Sequence, residues 1–211
     1  MHQWYSVAMG IRNKVAFALD RLGVLPLALR APPMTKVLTV LTYHRVATLP
    51  ADYLFDAGVV DATVTQFEAH LAFVKRHYNV IALDQLRRFT HGQPLPPRAL
   101  LITFDDGYRD NHDVVLPLLL RFGLTAVFFV ATRYIDERRL YWWDTINYLV
   151  RSSNVTTLSV NYPTTLHFKL PAQRGLALRT FVTLMKEMRG LDSDRFLAQL
   201  ATALKVPWSR D

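Results

Sequence analysis

The sequence predicts an α/β fold built on parallel strands, and three observations carry that prediction. Short apolar runs alternate with amphipathic helical stretches from about Val37 to Thr132. Strand, helix and strand follow one another at lengths that call for right-handed crossovers, and so for a parallel sheet or a barrel. His44, Asp105, Asp106 and Thr132 fall at the carboxyl ends of predicted strands, the face on which such folds carry function.

Each element has its own warrant. Val37 to Tyr43 is β-branched and apolar, a strand that delivers His44 and Arg45 to its carboxyl end. Thr65-Gln66-Phe67-Glu68 has capping-box spacing, and Phe67, Leu71, Val74 and Tyr78 then form a helical stripe. Asn79 to Leu83 reads as a short strand, with Asp84 capping a brief helix that ends near Gly92. Ala99-Leu100-Leu101-Ile102 is short and continuously apolar, the pattern of a strand buried on both faces. Asp110 or Asn111 can cap the next helix, which runs through Val114, Leu118 and Phe122 to a stop at Gly123. Thr125 to Thr132 is a further apolar strand.

Residues 133–211 break this rhythm and read as an insertion. Tyr141-Trp142-Trp143-Asp144 precedes a helical pattern through Ile146, Leu149 and Val150. Thr157 to Val160 and Leu166 to Leu170 can pair as a hairpin across Asn161-Tyr162-Pro163. Two helices follow, one from about Leu176 to Arg189 and one capped by Asp192 or Ser193. The chain thus divides into a helical extension (1–33), a strand–helix core (34–132) and the insertion (133–211).

Composition narrows the classes. At 211 residues, half of them apolar, the chain can bury one sizeable core. It has no cysteine, which excludes disulfides, thiolate metal sites and cysteine nucleophiles. The formal charge of +8 favours anionic partners, yet the basic residues are scattered and no nucleic-acid motif occurs, so no nucleic-acid partner is expected. Residues 5–29 can form amphipathic helices broken at Gly23 and Pro26, which dock on the domain or make peripheral membrane contact. No secretory signal pattern precedes them, which suggests the cytoplasm or the inner face of a membrane.

The most informative five residues are Thr103-Phe104-Asp105-Asp106-Gly107. Two adjacent carboxylates at the exit of a buried strand need a partner charge, a metal or a catalytic task. The bland alternative is a turn that caps the next helix, a common use of Asp and Gly. A strict strand would send the two acids to opposite faces, so a shared task requires a local kink, which Gly107 can help make.

These residues resemble a known family. Thr103-Phe104-Asp105-Asp106-Gly107 is similar to the first motif of the NodB-type polysaccharide deacetylases. Leu41-Thr42-Tyr43-His44-Arg45-Val46 and Thr125 to Thr132 resemble neighbouring strands of one branch, and Trp142-Trp143-Asp144 a segment frequent in it. The resemblance implies a partial distorted (β/α) barrel with a helical and hairpin insertion, acting on N-acetylated polysaccharide or oligosaccharide. It implies hydrolysis of N-acetyl groups with Asp105 as catalytic base and Asp106 as ligand to zinc or a similar divalent ion. His44, Tyr108, Trp142, Trp143 and Asp144 are candidate residues lining the site. The two tryptophans can stack on sugar rings or anchor the insertion in the core.

The departure from the family pattern is equally specific. Its second motif, His-Ser/Thr-x-x-His, is absent: no two of the seven histidines have that spacing. The later motifs carrying a substrate-side Arg and a His general acid are absent too. The chain is therefore read as the N-terminal part of a deacetylase, truncated, inactive as it stands and a poor holder of metal. Such a truncation would leave an open sheet edge that favours association. A makeshift site of Asp106, His44 and His112 is the weaker metal alternative. A carbohydrate-binding or interaction protein without chemistry is the alternative function. Phosphoryl transfer lacks the glycine-rich loop it would need.

Overall fold

The central strand of the molecule is buried along its whole length. The structure, a computed structural model, describes residues 37–207. The predicted extension, with its proposed membrane contact, lies outside the described residues. No helix among the described residues is long and apolar enough to cross a membrane.

Strand β1 (Leu38–Tyr43) leads into the two-residue β2 (Arg45–Val46), which pairs with β3 (Val60–Ala62) in a small parallel sheet. Helix α1 (Val64–His77) begins at a capping box of Thr63 and Gln66. The cap is therefore two residues earlier than Thr65-Gln66-Phe67-Glu68 suggested. Both registers fit the spacing rule; the one that places Phe67, Leu71 and Val74 in the core prevails. Strand β4 (Asn79–Val80) and helix α2 (Leu83–Thr90) follow. Asp84 does not cap α2, because Ala82 holds that position and Asp84 pairs with exposed Arg88 instead.

Strand β5 (Ala99–Phe104) has all six residues buried and is the hub of a four-stranded parallel sheet. Its full length pairs with β1, from Leu38 beside Ala99 to Tyr43 beside Phe104. With one edge so occupied, the other is shared. Strand β4 takes the lower half and β6 (Val127–Phe128) the upper. This explains why the predicted strand from Thr125 to Thr132 shortens to two residues. Below it the edge belongs to β4, and above Phe104 the β5 backbone turns away. Phe129 N–H still donates to Phe104 O at 2.7 Å and Ala131 N–H to Asp106 O at 3.2 Å, so the segment follows that turn.

A π-helical turn (Asn111–Val115) runs into helix α3 (Leu116–Phe122), which Gly123 closes in the left-handed conformation at φ 65°. Neither Asp110 nor Asn111 spends its side chain on capping: Asp110 bonds Arg45 and Val46 of β2, and Asn111 the carbonyl of His44 between β1 and β2. Over this sheet, Phe104 stacks between Tyr43 (5.3 Å) and Phe128 (5.2 Å), with Phe67 edge-on to it at 5.7 Å. Four aromatic rings thus seat the end of β5 rigidly.

The remaining residues build a second core. Helices α4 (Thr132–Asp136) and α5 (Trp142–Ser152) precede an antiparallel hairpin of β7 (Thr157–Val160) and β8 (Leu166–Lys169). Helices α6 (Arg174–Glu187) and α7 (Ser193–Leu204) complete it, α7 capped by Asp192 through Arg195 N–H at 3.0 Å. Ile146, Leu149, Leu158, Phe181, Phe196 and Leu200 are buried there together. Mixed α/β architecture with several sheets is as expected. Among the described residues the four parallel strands centred on β5 form an open sheet, with β1 partnered on one side, and β2 and β3 form a separate parallel pair.

Candidate active site

The acid pair leaves β5 through a tight turn. Asp105 N–H donates to Tyr43 O at 2.8 Å, which extends the β1–β5 ladder by one bond. Asp106 then enters the left-handed region at φ 74° and Gly107 follows at φ 80°. This is the kink that a shared task for the two acids requires. A left-handed, non-glycine residue is uncommon and strained, and such strain gathers at functional sites. Gly107 is needed as well: a Cβ there would lie 3.0 Å from Val130 Cγ1.

Asp106 is the electrostatically unusual member. Its Oδ2 is buried and has no hydrogen-bond partner. Burial pushes its carboxyl above the ordinary range; His44 draws it back, and Asp105 and Asp144 add to the rise. A carboxyl raised on folding binds more protons folded than unfolded. Its stabilising share is therefore full below the ordinary value of 3.8 and is lost as pH climbs through the raised one. Asp106→Asn is thus expected to raise the melting temperature more at about pH 7 than at about pH 4. Thermal melts of both proteins at the two pH values check this, and equal gaps would contradict it.

His44 reaches the mouth of the sheet. Its backbone N–H donates to Asp61 Oδ2 at 2.6 Å, its ring Nδ1 lies 3.3 Å from the same oxygen, and its carbonyl accepts from Asn111 Nδ2 at 2.9 Å. His112 lies elsewhere: its ring is exposed and bonded to Asp113 at 2.9 Å. Among the described residues no group of three or more His, Asp or Glu side chains is placed to hold a metal ion. The unpartnered oxygen of Asp106 suits one coordinate bond, but catalytic metal sites generally take three protein ligands. The donor set does not fit a complete site.

Tyr108, Trp143 and Asp144 do converge. Tyr108 O–H donates to Asp144 Oδ2 at 2.9 Å and accepts from Trp143 Nε1–H at 2.7 Å. Asp144 is 3% exposed, and burial raises its carboxyl despite hydrogen bonds from Asp56 N–H and Tyr108. The Tyr108 phenol is pushed far up by burial and then by the Asp144 charge. Trp142 packs against the second core with its ring edge-on to that of Trp143 at 5.1 Å, while Trp143 stacks on Tyr141 at 4.6 Å.

Several site residues were not singled out by the sequence. Arg45 Nε–H donates to Asp110 Oδ2 at 2.7 Å, Arg45 also bonds Tyr53 O–H, and its guanidinium lies 4.5 Å from the centre of the Tyr108 ring. Tyr141 O–H donates to Asp106 O at 2.5 Å, and its phenol is pushed up to about 12 by burial and then by the Asp106 charge. Tyr141 opens the Tyr-Trp-Trp-Asp run, so proximity to that run was its only sequence signal.

Residues 92–173 match the family model described as polysaccharide deacetylase. This stretch is similar to part of a polysaccharide deacetylase domain. The matched segment of this deacetylase-like chain spans the acid pair, β6, α5 and the hairpin. The chain is 31% identical over 98 residues to the poly-beta-1,6-N-acetyl-D-glucosamine N-deacetylase of Escherichia coli (strain K12), covering 46% of this chain and 14% of that protein. It is 20% identical over 171 residues to YxkH of Bacillus subtilis (strain 168), named as a polysaccharide deacetylase, covering 80% of this chain and 50% of that one. The chain thus spans half or less of the length of these relatives. Among solved structures, a de-N-acetylase from Aggregatibacter actinomycetemcomitans aligns at 26% identity and TM-score 0.41, over 47% of this chain and 39% of that one. IcaB from Ammonifex degensii aligns at 19% identity and TM-score 0.41, over 80% and 70%.

Proposed function

We propose that this chain contributes the acid-pair half of a site that removes N-acetyl groups from an N-acetylated polysaccharide. The observation that carries this reading is the strained Asp105-Asp106-Gly107 turn at the exit of β5, with one Asp106 oxygen buried and unpartnered. Hydrolysis of an acetamide needs a base to take a proton from the attacking water as its oxygen bonds to the carbonyl carbon. The C–N bond then breaks as the proton taken from the water is passed to the nitrogen, giving acetate and the free amine. Asp105 is proposed as that base. Asp106 is proposed as one donor to a divalent ion, whose further donors would come from outside the described residues. The open sheet around β5 is read as part of a distorted barrel, with the Asp105 turn at its mouth.

The relative at 31% identity makes β-1,6-linked N-acetylglucosamine oligomers the first ligand to try. In an NMR titration these are expected to shift the Gly107 and Tyr108 amides, whereas the de-N-acetylated oligomer is expected to leave them in place. Absence of any shift with the acetylated oligomer removes support for a sugar site at this turn. Zinc titration by calorimetry is expected to show only weak binding by the chain alone. Stoichiometric, tight uptake abolished by Asp106→Ala would show instead that the chain completes a metal site itself.

A further inference from the structure

The polar interior beneath the acid pair has a use that packing does not explain. Asp144 joins three segments distant in sequence. One oxygen accepts from Asp56 N–H at 2.9 Å, in the loop between β2 and β3, and the other from Tyr108 O–H at 2.9 Å, in the acid-pair turn. Asp144 itself belongs to the first turn of α5. A carboxylate that is 3% exposed is costly to bury, and its two oxygens offset that cost by satisfying donors that an apolar residue of similar size would strand. What the carboxylate adds is direction. Trp143 Nε1–H donates to the Tyr108 oxygen, so the phenol proton must point at Asp144, which fixes the hydroxyl rotor.

The same run grips the turn a second time. Tyr141 O–H donates to the carbonyl of Asp106, the residue held at φ 74°. Tyr141 and Trp143 stack nearly parallel, at 10° between planes, so the two grips are mechanically one unit. Arg45 covers the Tyr108 ring and is itself fixed by Asp110. The turn is thereby held at positions 106 and 108 by residues 141–144, some 35 positions later in the chain.

We propose that Asp144, acting through Tyr108, is the positioning residue that keeps the Asp105-Asp106-Gly107 turn in the strained geometry presenting the acid pair. The inference takes its meaning from the deacetylase reading but concerns the shape of the turn, not turnover. The test is amide hydrogen exchange on Tyr108→Phe and Asp144→Asn. Two amides report on the turn: Ala131, bonded to Asp106 O, and Asn111, bonded to Tyr108 O. In both variants these are expected to exchange on the order of tenfold faster while the β5 amides keep their protection. The Trp143 indole proton is expected to shift in Tyr108→Phe, since it loses its acceptor. Unchanged exchange at Ala131 and Asn111 overturns the proposal. So does an equal acceleration at every amide, which would mark Asp144 as a general stabiliser. Should Asp144→Asn not fold, Tyr108→Phe decides alone, because it removes only the hydroxyl. The sugar titration above can fail while this succeeds, and the reverse.

Discussion

Asp110→Ala is expected to destabilise the chain by about 3–5 kcal/mol, the cost of leaving a buried charge without its partner. The Arg45 and Asp110 side chains are only 17% and 10% exposed, and their bond is 2.7 Å long. The other Asp110 oxygen accepts from Val46 N–H at 3.2 Å, so the substitution also orphans a backbone donor. The exposed pairs Arg88–Asp84 and Arg109–Asp113, by contrast, are one helical turn apart and solvated. Removing either is expected to leave stability almost unchanged, because water and salt screen both charges. Urea unfolding of Asp110→Ala and Asp84→Ala side by side checks the contrast. A double variant, Arg45→Leu with Asp110→Leu, is expected to recover much of the loss, since it removes the stranded charge together with its partner. If the double variant is as unstable as Asp110→Ala, the charge is not the cause. Site geometry is expected to suffer in both, because Arg45 also covers the Tyr108 ring.

How far the sequence reveals this molecule depends on whether a feature is local. The apolar run Ala99 to Ile102 announces β5 because a strand buried on both faces has little room for polar residues; Thr103, the strand's one polar residue, bonds Thr42 Oγ1 at 3.0 Å. The helical stripe of Phe67, Leu71 and Val74, the stop at Gly123, the β7–β8 hairpin and the Asp192 cap are likewise written within a few residues of where they act. Asp110 and Asn111 show the limit. Both have the residue type and position of a helix cap, yet their side chains serve Arg45 and the His44 carbonyl, 65 and 67 positions away. No local pattern encodes such a pairing. The same holds for β6, whose length is set by the edge that β4 and the acid-pair turn leave free. Within the site, the acids and the kink between them were legible from Asp-Asp-Gly after a buried strand. The grip of Tyr141 and Asp144 on that kink was not, because it needs a helix from the second core to be laid beside the first. Trp142 and Trp143 illustrate the point: adjacent in sequence, one faces the second core and the other the Tyr108 hydroxyl.

Phe104→Ala is expected to be the most damaging apolar substitution near the site, at about 3–5 kcal/mol. Phe104 is wholly buried and sits between the rings of Tyr43 and Phe128, with Phe67 against its edge. Truncation leaves a void that three neighbouring rings cannot fill without leaving their rotamers. For a chain of this size the loss corresponds to a fall in melting temperature of about 10 °C. Phe104→Leu keeps much of the volume and is expected to cost about half as much. The consequence reaches the acid pair because Phe104 is the residue before Asp105, and its carbonyl accepts from Phe129 N–H at 2.7 Å. Slack at Phe104 therefore loosens both the start of the turn and the β6 segment that follows it. Calorimetric melts of the two variants give the stability ranking. Amide exchange at Phe129 and Ala131 reads the effect on the turn, and is expected to rise in Phe104→Ala more than in Phe104→Leu. A Phe104→Ala protein as stable as the parent would mean that the aromatic stack does not seat β5, and that the acid pair is held by the α5 side alone.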